Sequence, residues 1–589
     1  MNPVPAKLLA TGGVVVGATA LAFGVAAPPE RCPDVTPSEL RAAAVSAADW
    51  LIDNQNDDGT WLYEYDRADD RVIDDYNIVR HAGVMMSLYQ AGARGVDGAS
   101  DSADRGLDWA LDNIVERDDW AGVTTSNTVQ AGTNALLLAA LVERRSATED
   151  PTHDALMAEL ARFLERQTEP SGALLAYYDL GPDRARPDTY SIYYTGEAYW
   201  ALGRLHRIDP DAGWGDTADL MGDYMATVRD DVEDIWPPLA DHWSGYGLAE
   251  TAAFPDRPAA TPLTEEEVEF VRRQGGLIGQ RVRSISQRFG PWGVAVRGTF
   301  TPRGGGYGVF GEGLAGLWRA SQLDDRLETE RAPLAERALC ITGLAVDAQV
   351  DAAEAAEYEE PGRVEGAWFI DDVTRMDDQQ HALSALLLAI PIAESAPFDT
   401  GHPSPAMWLW LAVIIGTINP VRAAFSMPRQ GTVSRRASLA LGGGVIGSAL
   451  LLAVGALSGW LIDVVDTSIP AVRLAAGSLC VLSAGIDLTR RPATDEPALS
   501  GFGASVVPIA IPLFARPAML LAGLSVVADR GMGTYAVGLA AAVAMLVALS
   551  VPQADDDQDR PVMTWIGRVL SVVALAGGAL LIADAVFDI

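Results

Sequence analysis

Two segments of this chain gather side chains that are costly to bury unless they are put to use. In Asp74-Asp75-Tyr76-Asn77-Ile78-Val79-Arg80-His81-Ala82-Gly83, about one helical turn carries a phenol, an amide, a guanidinium and an imidazole beside a glycine. In Thr374-Arg375-Met376-Asp377-Asp378-Gln379-Gln380-His381, Asp377 and His381 stand four residues apart, which on a helix places them on one face. An acid aligned in this way orients an imidazole as a general base. These segments make Asp75, Arg80, His81, Asp377 and His381 candidate catalytic groups, with Tyr76, Asn77 and Arg375 as substrate contacts. A third group, Tyr193, Tyr194 and Glu197, adds Glu197 to the catalytic set and Tyr194 to the contacts. Tyr63 and Tyr65 offer stacking surfaces for a sugar or lipid. The competing reading of each group is a satisfied polar network that holds the fold closed.

About twelve helices and little strand are expected between 36 and 395 to position these groups. Thr36-Pro37-Ser38-Glu39 is a capping box with proline at the first helical position, and Asp150-Pro151 opens another helix in a similar way. Helices recur in pairs whose second members are rich in Gly, Ala and aromatic residues: Tyr76 to Gly92, Val129 to Glu143, Tyr193 to Leu205, Asp241 to Ala253, Tyr307 to Ala320 and Asp377 to Glu394. Six such hairpins predict a closed α/α ring with the second helices inside, where small residues permit close approach. Their N-terminal ends then bring Arg80, His81, Gln130, Asn134, Glu197, His242, Glu312, Asp377 and His381 toward one funnel.

Charge separates this part from the rest. The 589 residues carry a net charge of -36, yet from Gly401 onward there are 12 acidic and 11 basic residues. Residues 1 to 400 therefore hold 67 acids against 32 bases. Such a surface repels phosphate backbones, so nucleic acid is not an expected partner. Cys32, Cys340 and Cys480 are scattered and odd in number, and neither a disulfide framework nor a metal site is expected from them. No cofactor and no oligomeric state is indicated.

The ends of the chain read as membrane segments. Residues 1–27, with Lys7 before an uncharged stretch from Leu8 to Ala27, form a signal peptide or an N-terminal anchor. After a proline-rich linker at 396–406, six apolar stretches occupy roughly 407–425, 438–462, 470–488, 501–528, 533–551 and 563–587, each near the ~20 residues that cross a bilayer. Arg422, Arg429, Arg435 and Arg436 crowd the first connection and Arg490 and Arg491 the third, whereas Asp463 and Asp466 lie in the second. The positive-inside rule puts the first connection in the cytoplasm and residue 400 outside. Each half opens with a proline-broken helix, at Asn419-Pro420 followed by Arg422, and at Arg516-Pro517. Matching breaks of this kind point to inverted repeats and a transport site. Arg516, deep in a span, contacts an anion, pairs with Asp487 or snorkels toward the membrane surface.

The segments Asn419-Pro420, Ile469 to Ser478 and Val507 to Pro517 resemble the MarC family of the LysE-like transporter superfamily. That resemblance covers about 410 to 588 and implies movement of a small molecule or envelope lipid; Ala515-Arg516-Pro517 replaces the family's usual Gly-Pro-Gly. Ala47 to Trp61 is similar to the QW repeat of squalene and hopene cyclases and related prenyl cyclase toroids. It implies a clip in which Gln55 ends an outer helix and Trp61 packs on a neighbour. The Asp-x-Asp-Asp acid of those cyclases is missing from the soluble part.

The reading is an all-α chain: an extracytoplasmic α/α toroid over 36–395, then a MarC-like helical membrane domain over 407–589. The toroid binds or modifies a glycan or isoprenoid-linked substrate, and the bilayer is the other partner. Two alternatives are a noncatalytic ligand-binding toroid that serves a transporter, and a terpene cyclase-like enzyme.

Overall fold

The first helix begins where the capping pattern predicts. The Glu39 amide donates to Thr36 Oγ1 at 3.2 Å and the Thr36 amide donates back to Glu39 at 2.8 Å, which starts α1 at Pro37–Asp53. The computed structural model describes residues 30–73, 75–289, 293–294, 302–396, 407–425, 432–465, 469–489, 505, 509–510, 514–550 and 560–587. Expectations placed on residues 1–27, Asp74, 397–406, Arg429, Asp466, Arg490, Arg491 and 511–513 fall outside these. Two units are separated by their internal packing, one of residues 31–286 and 299–401, the other taking in 402–589.

In the first unit, eleven further helices of ten residues or more follow α1 among the described residues: α2 (Ile78–Gly92), α3 (Ala99–Asp112), α4 (Ala131–Thr148), α5 (Asp154–Gln167), α6 (Tyr194–Ile208), α7 (Trp214–Thr227), α8 (His242–Thr251), α9 (Glu265–Ser286), α10 (Gly304–Leu323), α11 (Arg331–Ala348) and α12 (Met376–Glu394). The even-numbered helices pack in the order α2, α4, α6, α8, α10, α12 and back onto α2, which closes a ring. The odd-numbered helices cover it on the outside. This is an α/α toroid, and its inner helices are the small-residue-rich ones. The close approach is visible at Gly245, where a Cβ would stand 2.4 Å from the Gly313 carbonyl oxygen across the α8–α10 contact.

The Gln55 clip works through Nε2, which donates to the Gly59 and Ser102 carbonyls at 3.1 and 2.9 Å and so ties the end of α1 to α3. Trp61 packs against Gly106 of α3, where a Cβ would meet its ring at 2.2 Å. Among the described residues, three small antiparallel sheets make up the little strand that is expected. Glu64–Asp66 pairs with Arg71–Ile73 and with Val373–Arg375, Ile114–Glu116 pairs with Ala121–Val123, and Tyr177–Asp179 pairs with Thr128–Gln130 and Arg184–Ala185. Strands of only two or three residues show no alternating pattern that can be read from sequence. The strands Thr128–Gln130 and Val373–Arg375 run directly into α4 and α12, and pairing of Tyr65 with Thr374 ties the first hairpin to the last.

Cysteine is the clear correction. Cys32 and Cys340 form a disulfide across a sequence separation of 308, although their spacing suggested no pairing. Only ring closure brings α11 beside the chain entering α1, and no local spacing records that.

The ring's other end is shut by charge. Near the C-terminal ends of the inner helices, Glu250 of α8 meets Arg207 at 2.6 Å, Arg319 at 3.4 Å and Arg204 at 3.8 Å. Arg204 also binds Glu143 at 2.7 Å, and Gln90 of α2 donates to Glu143 at 3.3 Å. Guanidinium groups there also favour the negative ends of the helix dipoles.

In the second unit, Val433–Gly455, Pro517–Ser550 and Met563–Ala583 are long and apolar enough to cross a membrane, and Met407–Ile418 is a shorter apolar helix. Pro517–Ser550 is not one straight rod. Gly531 takes φ +79, and Tyr535 Oη donates to the Met519 carbonyl at 3.0 Å. Sixteen residues of continuous helix would separate these by ~24 Å, so the chain reverses at Gly531.

Candidate active site

The residue pairs that looked adjacent in sequence are divided by the helix. Successive residues on a helix point about 100° apart, so Arg80 and His81 cannot both face the ring. His81 faces the outer layer, with its ring 4.4 Å from that of Trp109 and 4.9 Å from that of Trp61. Its Nε2 donates to the Gly106 carbonyl at 2.9 Å and its Nδ1 accepts from Tyr76 Oη at 2.6 Å. The partners are those of a neutral packing histidine. Burial pushes its pKa down from 6.5 to about 4.

Because the unfolded chain takes up that proton first, His81 contributes stability in full above pH ~6.5 and loses it as the pH falls toward ~4, about 3 kcal/mol in all. We expect thermal unfolding of the wild type to become steeply pH-dependent across that window. His81→Gln should show a slope smaller by one proton there, and equal slopes would contradict the assignment.

The rest of the first segment follows His81 outward. Tyr76 also accepts from the Trp61 amide at 3.2 Å, and Asn77 caps α2 by accepting from the Val79 and Arg80 amides. Asp75 is exposed and accepts from the Tyr76 amide. These three, with His81, are not brought together with the remaining candidates. Arg80 is the exception. It meets Tyr63 and Asp377, the latter at 3.1 Å, and Asp377 is shared with Arg375 at 3.4 Å. Tyr65 is fully buried and donates to Asp70, so it offers no stacking face.

His381 does not take its acid from Asp377. Its Nδ1 donates to Glu312 Oε2 of the neighbouring helix α10 at 2.7 Å, and the other oxygen of Glu312 accepts from Tyr246 Oη of α8 at 3.0 Å. Opposite stands His242, the first residue of α8, with ring centroids 5.3 Å apart. The Tyr193 ring, 46% exposed, lies 6.4 Å from His242. Glu197 completes the group: it is buried, and its Oε2 has no hydrogen-bond partner among the described residues. Gly132 makes its place, since a Cβ there would stand 2.5 Å from that oxygen and 2.3 Å from the Tyr194 ring. Tyr194 Oη donates to Gln130 at 3.2 Å.

Electrostatics differentiate these groups. Burial raises the Glu197 carboxyl to about 8, against the opposing pull of the His381 charge. Burial pushes His242 well below the usual imidazole range, and the His381 charge adds to this. Burial also acts against a charged His381, but the Glu312 carboxylate, with Asp377 and Asp378 behind it, outweighs it and raises the pKa. His242 and Glu312 fall at the funnel by sequence with no role marked for either. The one sequence signal for Tyr246 is its spacing of four from His242 on α8.

In the second unit the two helix breaks converge. Asn419 takes φ +49, and its Nδ2 donates to the Gly567 carbonyl at 2.9 Å and to Ser571 at 3.1 Å. Pro420 starts the short helix Pro420–Phe425, and Pro517 starts Pro517–Ser550. Arg422 and Arg516 both pair with Asp487, Arg516 at 2.7 Å, and Arg516 also donates to Ser483. Arg516 thus meets Asp487, one of its expected partners. Removing that acid sets two guanidinium groups side by side in an apolar bundle. Asp487→Asn is therefore expected to lower the monodisperse fraction on gel filtration in detergent more than Arg516→Gln does, and the reverse order would contradict the shared pair.

No family model matches this chain, and no curated protein does. Among solved structures, a sugar epimerase from a ruminal bacterium aligns over 62% of this chain and 100% of its own, at 13% identity and a TM-score of 0.44. The cellobiose 2-epimerase from Spirochaeta thermophila DSM 6192 aligns over 61% and 96%, at 15% identity and a TM-score of 0.41. The GH76A alpha-1,6-mannanase from Salegentibacter sp. HEL1_6 aligns over 60% and 99%, at 13% identity and a TM-score of 0.40. Each is similar to this chain at a level that assigns no activity.

Proposed function

We propose that the toroid is a sugar-modifying enzyme of the proton-transfer type, with His381 and His242 as the proton-carrying pair. The observation that carries this reading is the Glu312–His381 hydrogen bond facing a second imidazole at 5.3 Å. One imidazole is anchored by a carboxylate and the other is not, so the two differ in proton affinity and divide acid from base. One ring removes the proton next to the carbonyl of an open-chain sugar, giving an enediol. Return of a proton to the same carbon from the other side gives the epimer, and return to the neighbouring carbon gives the isomer. Glu197 serves as a donor to the carbonyl oxygen. Glu312 is held on both oxygens and buried, which disfavours the free carboxylate pair that glycoside hydrolysis requires. Tyr193, Tyr63, Arg80 and Arg375 combine aromatic faces with hydrogen-bond donors, a mixture suited to a sugar ring.

The test is incubation of the full-length chain in detergent with a panel of reducing mono- and disaccharides in D2O. Carbon-bound deuterium next to the carbonyl in at least one sugar is the expected result. Release of new reducing ends without deuterium uptake would replace this reading with a hydrolytic one.

We further place the toroid outside the cytoplasm, followed along the chain by a multi-span block of about six helices. The Cys32–Cys340 disulfide supports this, because such bonds persist in oxidising compartments. A transport role for the block is a second reading, favoured by the two proline breaks whose arginines meet at Asp487.

A further inference from the structure

The three groups at the centre of the toroid site have more in common than a proton. A nitrogen from His242, a nitrogen from His381 and an oxygen from Glu312 all lie within 4.8 Å of one another, and they come from three different inner helices. Two imidazoles and one carboxylate are the ligand set that suits zinc and neighbouring transition ions, not calcium or magnesium, which take oxygen. Bonds of ~2.0–2.1 Å in a tetrahedral arrangement hold ligand atoms about 3.3 Å apart. His381 Nδ1 and Glu312 Oε2 stand at 2.7 Å and part by about 0.6 Å around an ion, while the widest separation among the three ligand atoms, at most 4.8 Å, closes by up to about 1.5 Å.

Two independent features prepare this place for an ion. His242 is 6% exposed, yet its buried Nε2 has no hydrogen-bond partner among the described residues, and an orphaned buried polar atom calls for an explanation such as an ion. Tyr246 Oη holds Glu312 by its other oxygen, which leaves Oε2 toward His381 in the manner of an outer-shell partner that orients a metal ligand.

We propose that His242, Glu312 and His381 bind one divalent transition ion of the Zn2+ class, and that the bound form is the inhibited form of the enzyme. The ion takes the lone pairs that proton transfer needs. Its binding displaces the proton between His381 and Glu312, which leaves to solvent or moves to the far nitrogen of the ring. Three protein ligands leave the fourth position to water. This inference rests on the proton-transfer reading for its inhibitory part and on geometry alone for the binding.

The experiment uses the full-length chain in detergent, stripped with a chelator and titrated with Co2+. The expected result is a visible d–d absorption of a four- or five-coordinate ion that saturates at one equivalent and is bleached by Zn2+. His242→Ala and Glu312→Gln should each weaken Co2+ binding by more than the about 10–100-fold typical of losing an outer-shell partner. His153→Ala, on the outer layer, should leave it unchanged. If Glu312→Gln fails to fold by its melting curve, His242→Ala decides. Binding that is as tight in His242→Ala as in the wild type, or no band at one equivalent, overturns the site. Deuterium uptake in the stripped protein without the one-equivalent band removes the metal site and leaves the proton-transfer reading standing. A band at one equivalent with no deuterium uptake in the stripped protein does the opposite.

Discussion

His381→Ala is expected to lower the rate of deuterium uptake from solvent into the sugar by about 10²–10⁴-fold, the range lost with a positioned acid or base. The substitution removes one proton carrier and leaves Glu312 without its imidazole. Tyr246 still donates to the carboxylate, and Gly308 already packs tightly against the His381 backbone, so Ala fits the helix without new contacts. The fold should persist, with cooperative melting retained. Glu312→Gln should fall in the same direction, since an amide cannot stabilise the charge on His381. His81→Ala, by contrast, should keep the rate of its folded fraction, because His81 faces Trp61, Trp109 and Gly106. Turnover in His381→Ala within a factor of two of wild type would remove the residue from the chemistry. Loss of the melting transition would make it a structural group instead.

The second large effect is on stability. Glu250→Gln is expected to cost about 3–5 kcal/mol, the penalty for breaking a buried ion pair while its partners remain. Glu250 is fully buried, and its carboxylate faces Arg204, Arg207 and Arg319. Burial alone would raise its pKa, but the three guanidinium groups together hold it below the ordinary 4.5. A depressed folded pKa means that the contribution is present above 4.5 and is lost as the pH falls through the lower folded value. The wild type should therefore lose stability on acidification in that range, and Glu250→Gln should not share that part of the loss. Denaturant midpoints for both proteins at pH 7 and at acid pH measure this directly. A change under 1 kcal/mol at pH 7 would mean that the network is solvated and does not close the ring.

Much of the architecture could be read before any packing was known. The inner helices were recognisable because each is rich in glycine and alanine, and the ring requires close approach on every inner face, as at Gly245 and Gly313. The capping box at Thr36 is legible because it is local, spanning a few residues, whereas the Gln55 clip comes from the resemblance to the QW repeat and reaches Ser102 on another helix. The short strands are not legible, since two or three residues carry no periodic signal.

Side-chain direction separates the two halves of the site prediction. The sequence places Arg80 next to His81, and helical geometry alone forbids both from lining one funnel, but the choice between them depends on the outer helix. Trp61 and Trp109 form the apolar wall that takes the imidazole, and Arg80 is left to meet Asp377. Asp377 and His381 do share a face, as their spacing requires. Yet the arginines claim Asp377, while His381 finds Glu312 on another helix, 69 residues away in the chain.

By itself, then, the sequence determined the helical periodicity, the six paired segments, the separation of an acidic part from an apolar one, and the residue types available at the inner helix ends. These are local or compositional, and water and backbone geometry enforce them without reference to distant residues. The tertiary structure decided the partners. Ring closure set His242, Glu312 and His381 together, joined Cys32 to Cys340, and seated Glu250 among three arginines. The convergence of two broken helices put Arg422 and Arg516 on one aspartate. Each of these contacts joins residues far apart in the chain, and its energy exists only once the intervening helices have packed. No spacing along the chain encodes it.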